Sequence, residues 1–217
     1  MEIVENLIKI SENIPENVSL IAVSKTKSKN YIELAYNYGQ RDFGENKVQE
    51  LVEKYDSLQK DINWHMIGHL QRNKVKQIAP FVYLIHSVDS YRLLIEINKQ
   101  GLKNGRIINV LVQIDISNDN TKFGFTYAEF DELTKLNKLK DLKNINLKGM
   151  MGMASFSSDL SIIEKEFNQL NDFYNKHKTN LSLNILSMGM SGDYKIAIKC
   201  NSNMIRLGST IFGTRIK

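Results

Sequence analysis

The sequence predicts an α/β protein: one (β/α)8 barrel of TIM type, with an extra helix at its N-terminus, over residues 1–217 as a single domain. Eight short apolar runs alternate with helical segments along the chain. Several of them, such as those within 18–23 and 107–112, are nearly all apolar, as strands covered on both faces of a parallel sheet must be. No Gly-x-Gly-x-x-Gly turn follows the first strand, so an open doubly wound sheet is the weaker alternative and closure into a barrel the natural solution.

The elements follow in order. A helix over 3–10 places Ile3, Val4, Leu7 and Ile8 on one stripe, and the first strand spans 18–23. Ser28 is placed to cap a helix that Gly39 ends, and 41–43 makes a short second strand. Val48, Leu51, Val52 and Tyr55 share a face of the next helix. Strands over 64–67 and 82–85 flank a short helix. Asp89 caps a helix running through Leu93, Leu94 and Ile97 to Gly101, and 107–114 is the fifth strand. A helix over 127–139 leads to the sixth strand at 145–150, and another over 162–174 to the seventh at 183–186. A short helix over 194–200 precedes the eighth strand at 204–207. About ten residues remain, too few for a full eighth helix, and the N-terminal helix is expected to cover that gap.

Composition excludes several classes of function. With 42% hydrophobic and 24% charged residues, the chain can bury one substantial core. Its apolar runs fall far short of the roughly 20 residues of a membrane span. The acidic start Met1-Glu2-Ile3-Val4-Glu5 lacks the basic-then-apolar layout of a signal peptide. A lone cysteine, Cys200, excludes an intrachain disulfide and fits a reducing cytoplasm. The net charge of +5 comes from scattered lysines, and the densest group, between Lys135 and Lys148, alternates with leucine as a solvated helix face does. A cytoplasmic protein without membrane or nucleic-acid partners is expected.

In such a barrel the site lies at the C-terminal ends of the strands, with a phosphate site commonly formed after strands seven and eight. That rim gathers Val23-Ser24-Lys25-Thr26-Lys27, Ser187-Met188-Gly189-Met190-Ser191 and Arg206-Leu207-Gly208-Ser209-Thr210. An amine at the end of a buried strand, partly desolvated and near other cations, has a lowered pKa and serves as a nucleophile for carbonyls. Lys25 meets that requirement; Lys27 points the same way and is a rival. Gly189 and Gly208 let the backbone approach a ligand, while Ser187, Ser191, Ser209 and Thr210 offer hydroxyl and N–H groups to a phosphate. The helix after Ser191 adds the positive end of its dipole. Arg206, one pleat before Gly208, faces the same side and needs an acceptor.

Other constellations carry less. His65 and His69 are four apart, but Met66 stands where a zinc helix needs glutamate, and no metal is expected. His86, Ser87 and Asp89 are too close along the chain to form a hydrolase relay and read as a strand end with a helix cap. Met150, Met151 and Met153 read as barrel core or pocket lining.

The ordered segments Ile21-Ala22-Val23-Ser24-Lys25-Thr26-Lys27, Phe43-Gly44-Glu45-Asn46-Lys47-Val48-Gln49-Glu50, Trp64-His65-Met66-Ile67-Gly68-His69-Leu70-Gln71-Arg72-Asn73-Lys74 and His86-Ser87-Val88-Asp89-Ser90 precede three more. These are Gly149-Met150-Met151-Gly152-Met153-Ala154, Leu186-Ser187-Met188-Gly189-Met190-Ser191-Gly192-Asp193-Tyr194 and Arg206-Leu207-Gly208-Ser209-Thr210-Ile211-Phe212-Gly213-Thr214-Arg215. Together they resemble the pyridoxal phosphate homeostasis proteins, whose fold is similar to the N-terminal barrel of alanine racemase. The resemblance spans nearly the whole chain. Ser28 departs from it, since the family often has proline there.

The resemblance implies a pyridoxal 5′-phosphate (PLP) cofactor held as a Schiff base on Lys25. It also implies that Ser187 and the Gly208-Ser209 backbone bind the phosphate, that Met188 belongs to the cofactor-binding set, that Arg206 faces the pyridine nitrogen and that Asn46 lines the pocket. Arginine at that nitrogen disfavours ring protonation and weakens the electron sink. A racemase of this fold also needs a second base, supplied in alanine racemase by another domain and subunit. The expected function is therefore a monomeric carrier or regulator of PLP supply, with PLP-dependent apo-enzymes as candidate recipients and no catalytic residue assigned. The alternative is a weak amino-acid racemase.

Overall fold

The structure, a computed structural model, describes residues 2–117 and 123–213. Eight parallel strands close into a barrel in chain order, and the last pairs back onto the first. They are β1 (Ser19–Val23), β2 (Asp42–Glu45), β3 (Asn63–Met66), β4 (Leu84–Val88), β5 (Ile108–Gln113), β6 (Ile145–Met151), β7 (Ile185–Ser187) and β8 (Met204–Leu207). The α/β barrel expected from the alternating pattern is the one observed.

Alternation along the strands makes two apolar layers. Ile21, Leu84, Leu111, Met151 and Met204 cluster inside the barrel. Their neighbours Ala22, Phe43, Trp64, Ile85, Val110, Met150 and Ile205 face outward into a larger core beneath the helices. Polar residues interrupt the inner layer: His65, His86, Ser187 and Arg206 are all buried.

The helix α1 (Glu2–Asn13) buries Ile3, Leu7 and Ile10. It packs on α2 (Lys29–Tyr38) and on the four-residue Ser209–Phe212 helix after β8, where Asn6 Nδ2 donates to Ile211 O at 3.0 Å. This is the gap the extra helix was expected to cover.

Between them lie α3 (Val48–Ser57) and α4 (Val75–Ile78), then α5 (Tyr91–Lys103), α6 (Tyr127–Lys135), α7 (Leu160–Leu181) and α8 (Tyr194–Lys199). Strand ends shift by up to three residues from the sequence reading, β4 most, to Leu84–Val88 from 82–85. Three helix boundaries also differ. Ser90, not Asp89, caps α5, its side chain accepting from Leu93 N–H at 3.4 Å, while Asp89 pairs with His69 at 3.0 Å. The helix expected over 127–139 breaks after Lys135, because Asn137 adopts a left-handed φ of 54° and a 3-10 turn follows. Helix α7 outruns its apolar stripe: His177 stays buried, bonded to Asp131 at 2.7 Å and stacked edge-on against Phe130 and Phe173.

Strand β6 holds one tight point. Val110 pairs with Leu147 and Leu111 with Gly149, so Lys148 is an extra residue in the ladder. A Cβ at Gly149 would lie 1.7 Å from Ile185 O of β7. Gly149→Ala is expected to destabilise by about 3 kcal/mol or more, since backbone cannot give way as a side chain does. Urea denaturation should show a lower midpoint at unchanged m; an unchanged midpoint would contradict this. Among the described residues, no helix is long and apolar enough to cross a membrane.

Candidate functional site

At the C-terminal rim the ends of β1, β2 and β8 and the loop after β7 enclose a cavity of about 320 Å³. That is within the range of small-molecule sites. Its lining brings together Lys25, Asn46, Arg206, Gly208 and Ser209, five of the seven residues expected from sequence, along with Lys27, Ser191 and Met153.

Strand alternation explains the position of Lys25: Val23 and Lys25 turn toward the cavity, Ala22 and Ser24 away from it. On the outer side an ionic cluster grips the turn. Ser24 Oγ donates to Glu45 Oε1 at 2.6 Å. Lys54 Nζ donates to Glu45 Oε1 and Glu50 Oε1, both at 2.7 Å, and to Ser24 O at 2.8 Å. Thr26 N–H, in turn, donates to Glu50 Oε1 at 2.6 Å. The residues on both sides of Lys25 are thus tied to one cluster, which holds Thr26 at a φ of 65°, a left-handed conformation uncommon for threonine. Burial pushes the Glu45 carboxyl up to about 7, against the pull of Lys54 and Ser24.

Asn46 is set by a close backbone approach. A Cβ at Gly68 would lie 2.3 Å from Asn46 O, so the loop after β3 reaches that backbone only as glycine.

Across the cavity, Gly208 N–H and Thr210 N–H converge on Ser191 Oγ at 3.2 and 3.4 Å. Lys27 Nζ donates to Phe212 O at 2.8 Å and to Gly213 O at 3.3 Å. Asp193 accepts from Met190 N–H at 2.5 Å, and burial raises its carboxyl.

Ser187, expected at a phosphate, and Met188, expected at the cofactor, are not on the lining of this cavity. Both are buried; Met188 N–H donates to Ser202 Oγ at 3.1 Å and to Met204 O at 3.2 Å. Ser187 Oγ accepts from Arg206 Nη1 at 2.6 Å and lies 3.2 Å from His86 Nδ1. The hydroxyl on the lining at this end of the cavity, besides that of Ser209, is Ser191's, which the sequence reading named among the candidate donors.

Arg206 is 4% exposed and also donates from Nη2 to Gly152 O at 3.1 Å. Burial lowers it to about 10, opposed by Asp193, and it stays cationic at neutral pH. His86 beside it is held well below the usual histidine range, first by burial and then by His65 and Arg206. Of the other motifs, His69 stacks on Phe123 and pairs with Asp89, and Ser87 Oγ donates to Gly68 O at 2.5 Å.

The family model for the alanine racemase N-terminal domain matches residues 2–216. A pyridoxal phosphate homeostasis protein of Synechocystis is 37% identical over 211 residues, 96% of each chain. The chain belongs to the pyridoxal phosphate homeostasis protein family. The Escherichia coli K12 member is 36% identical, the alignment covering 93% of this chain and 87% of that protein. The structure of PipY from Synechococcus elongatus with PLP bound superposes with a TM-score of 0.89 at 32% identity, covering 97% of this chain and 100% of that one. A Clostridium difficile alanine racemase, at 16% identity and a TM-score of 0.81, shares the fold over 57% of its own length. Members of the homeostasis family carry names that describe cofactor balance rather than a reaction. Its last matching motif runs on to Thr214 and Arg215, which lie outside the described residues.

Proposed function

We propose that this protein binds PLP in the rim cavity, as a Schiff base on Lys25, and serves as a cytoplasmic carrier or regulator of PLP supply without robust catalysis. PLP-dependent apo-enzymes are its proposed recipients. One observation carries the reading: a single cavity offers an amine, a buried guanidinium and converging backbone N–H groups. Each suits one part of the cofactor. Lys25 suits the aldehyde. Gly208 and Thr210 N–H, already aimed at one oxygen, suit the phosphate together with Ser191 and Ser209. Arg206 suits the pyridine nitrogen, and Asn46 the rim of the ring.

When bound, PLP supplies an aldehyde that condenses with amines and a ring that withdraws electrons from them. The chain's own groups temper the second property. A cation at the ring nitrogen disfavours protonation there. The second amine, Lys27, is engaged as a donor to Phe212 O and Gly213 O, which argues against its acting as an opposing base.

Protein mixed with PLP should develop the absorbance of an imine. Incubated with L- and D-alanine in deuterium oxide, the loaded protein should show no α-proton exchange at catalytic protein concentrations. Fast exchange would overturn the carrier reading, and failure to form the chromophore would overturn binding itself.

A further inference from the structure

A line of polar side chains runs through the barrel interior to Arg206. It starts at Asp42, on the N-terminal mouth, whose Oδ1 lies 3.0 Å from His65 Nε2 and also accepts from Asn63 Nδ2 at 3.2 Å. His65 Nδ1 lies 2.9 Å from His86 Nε2, and His86 Nδ1 lies 3.2 Å from Ser187 Oγ across the barrel. Arg206 Nη1 closes the line at 2.6 Å from the same oxygen. His65, His86, Ser187 and Arg206 are all buried, and Asp42 is partly exposed.

The donors can be assigned by elimination. A carboxylate accepts only, so His65 Nε2 carries a proton. With neutral imidazoles, His65 Nδ1 then accepts from His86 Nε2–H, and His86 Nδ1 accepts from the Ser187 hydroxyl. That leaves Ser187 Oγ free to accept from Arg206, which can only donate. The reversed arrangement, with protons on both Nδ1 atoms, would aim the Ser187 hydroxyl proton at no acceptor in the line, a costly fault in a buried site. The low basicity of His86 agrees with the neutral assignment. One proton arrangement therefore satisfies every group, and Asp42 at the far mouth selects it.

We propose that Asp42, His65, His86 and Ser187 are positioning residues whose one-directional hydrogen bonding fixes the Arg206 guanidinium at the cavity floor. The proposal rests on the cofactor reading only in what Arg206 would face. Its first test therefore uses the protein without added PLP. Long-range proton–nitrogen NMR is expected to show His65 and His86 as neutral Nε2–H tautomers, with resolved Arg206 guanidinium resonances. Asp42→Asn, far from the cavity and nearly isosteric, should mix the His65 and His86 tautomers and broaden the Arg206 signals. An Nδ1–H tautomer at His86, or histidine and arginine signals indifferent to Asp42→Asn, would overturn the proposal.

The second arm measures PLP dissociation from the loaded protein. Asp42→Asn and Ser187→Ala should each speed it, and the double variant should be no faster than the worse single one. Independent residues at this separation give additive effects, and additivity would also overturn the proposal. Should PLP fail to bind the wild type, the cofactor reading falls while the NMR arm still decides the relay.

Discussion

Replacing Lys54 with methionine is expected to lower stability by about 3–5 kcal/mol at pH 8, the cost of stranding a buried charge. The Lys54 side chain is 6% exposed and that of Glu45 0%, so water cannot replace the lost partner. The loss should shrink at pH 5. Burial already lifts Glu45 to about 7 from an ordinary 4.5, so its folded form holds a proton more tightly than its unfolded form. Stability from such a group is fully present below the unfolded value and lost as pH rises through the folded one. Within the native protein Glu45 therefore favours folding less as pH climbs from about 4.5 to 7. Without Lys54 its carboxyl shifts higher still, and the fall continues into the alkaline range. Urea denaturation at both pH values measures this. A loss below about 1 kcal/mol, as for an exposed pair, or equal losses at pH 5 and pH 8 would refute it.

Lys25→Ala should abolish the covalent PLP chromophore while leaving weaker, non-covalent binding through Gly208, Ser209 and Ser191. Lys27→Ala should keep the chromophore. The two lysines share the lining but differ in their surroundings. Lys27 Nζ is turned toward Phe212 O and Gly213 O, whereas the chain on either side of Lys25 is clamped by Glu45, Glu50 and Lys54. A nucleophile gains from such fixed placement, because the reacting atoms are held near each other before reaction. Absorbance spectra and equilibrium dialysis of both variants separate the outcomes. A Lys27→Ala protein that lost the band while Lys25→Ala retained it would reverse the assignment.

The barrel was legible because its cause is local. Strands covered on both faces must be apolar, and runs such as 82–85 and 107–114 declare themselves one by one, although β4 itself lies further along, at Leu84–Val88. The rim residues were legible for a related reason: topology alone brings the ends of β1, β7 and β8 together. What stayed hidden depends on pairs distant in the chain. Glu45 and Lys54 each look like surface charges, and only their side chains' shared direction behind Ser24 makes them a clamp. The spacing of Glu50 and Lys54, four apart on one helix, was the available signal. Ser187 looked like a phosphate donor because its strand end points to the rim. Its side chain, however, falls one pleat short and meets Arg206 and His86 in the interior. His65 and His86 gave a signal too, as polar residues inside otherwise apolar strands, where a buried polar group must have a partner.

The most direct test of the account is borohydride reduction of the PLP-loaded wild-type protein, followed by proteolysis and mass spectrometry of the fixed adduct. The predicted result is a single phosphopyridoxyl group on Lys25, in the turn between β1 and α2. A group fixed instead on Lys27, or on any lysine outside the rim cavity, would contradict it.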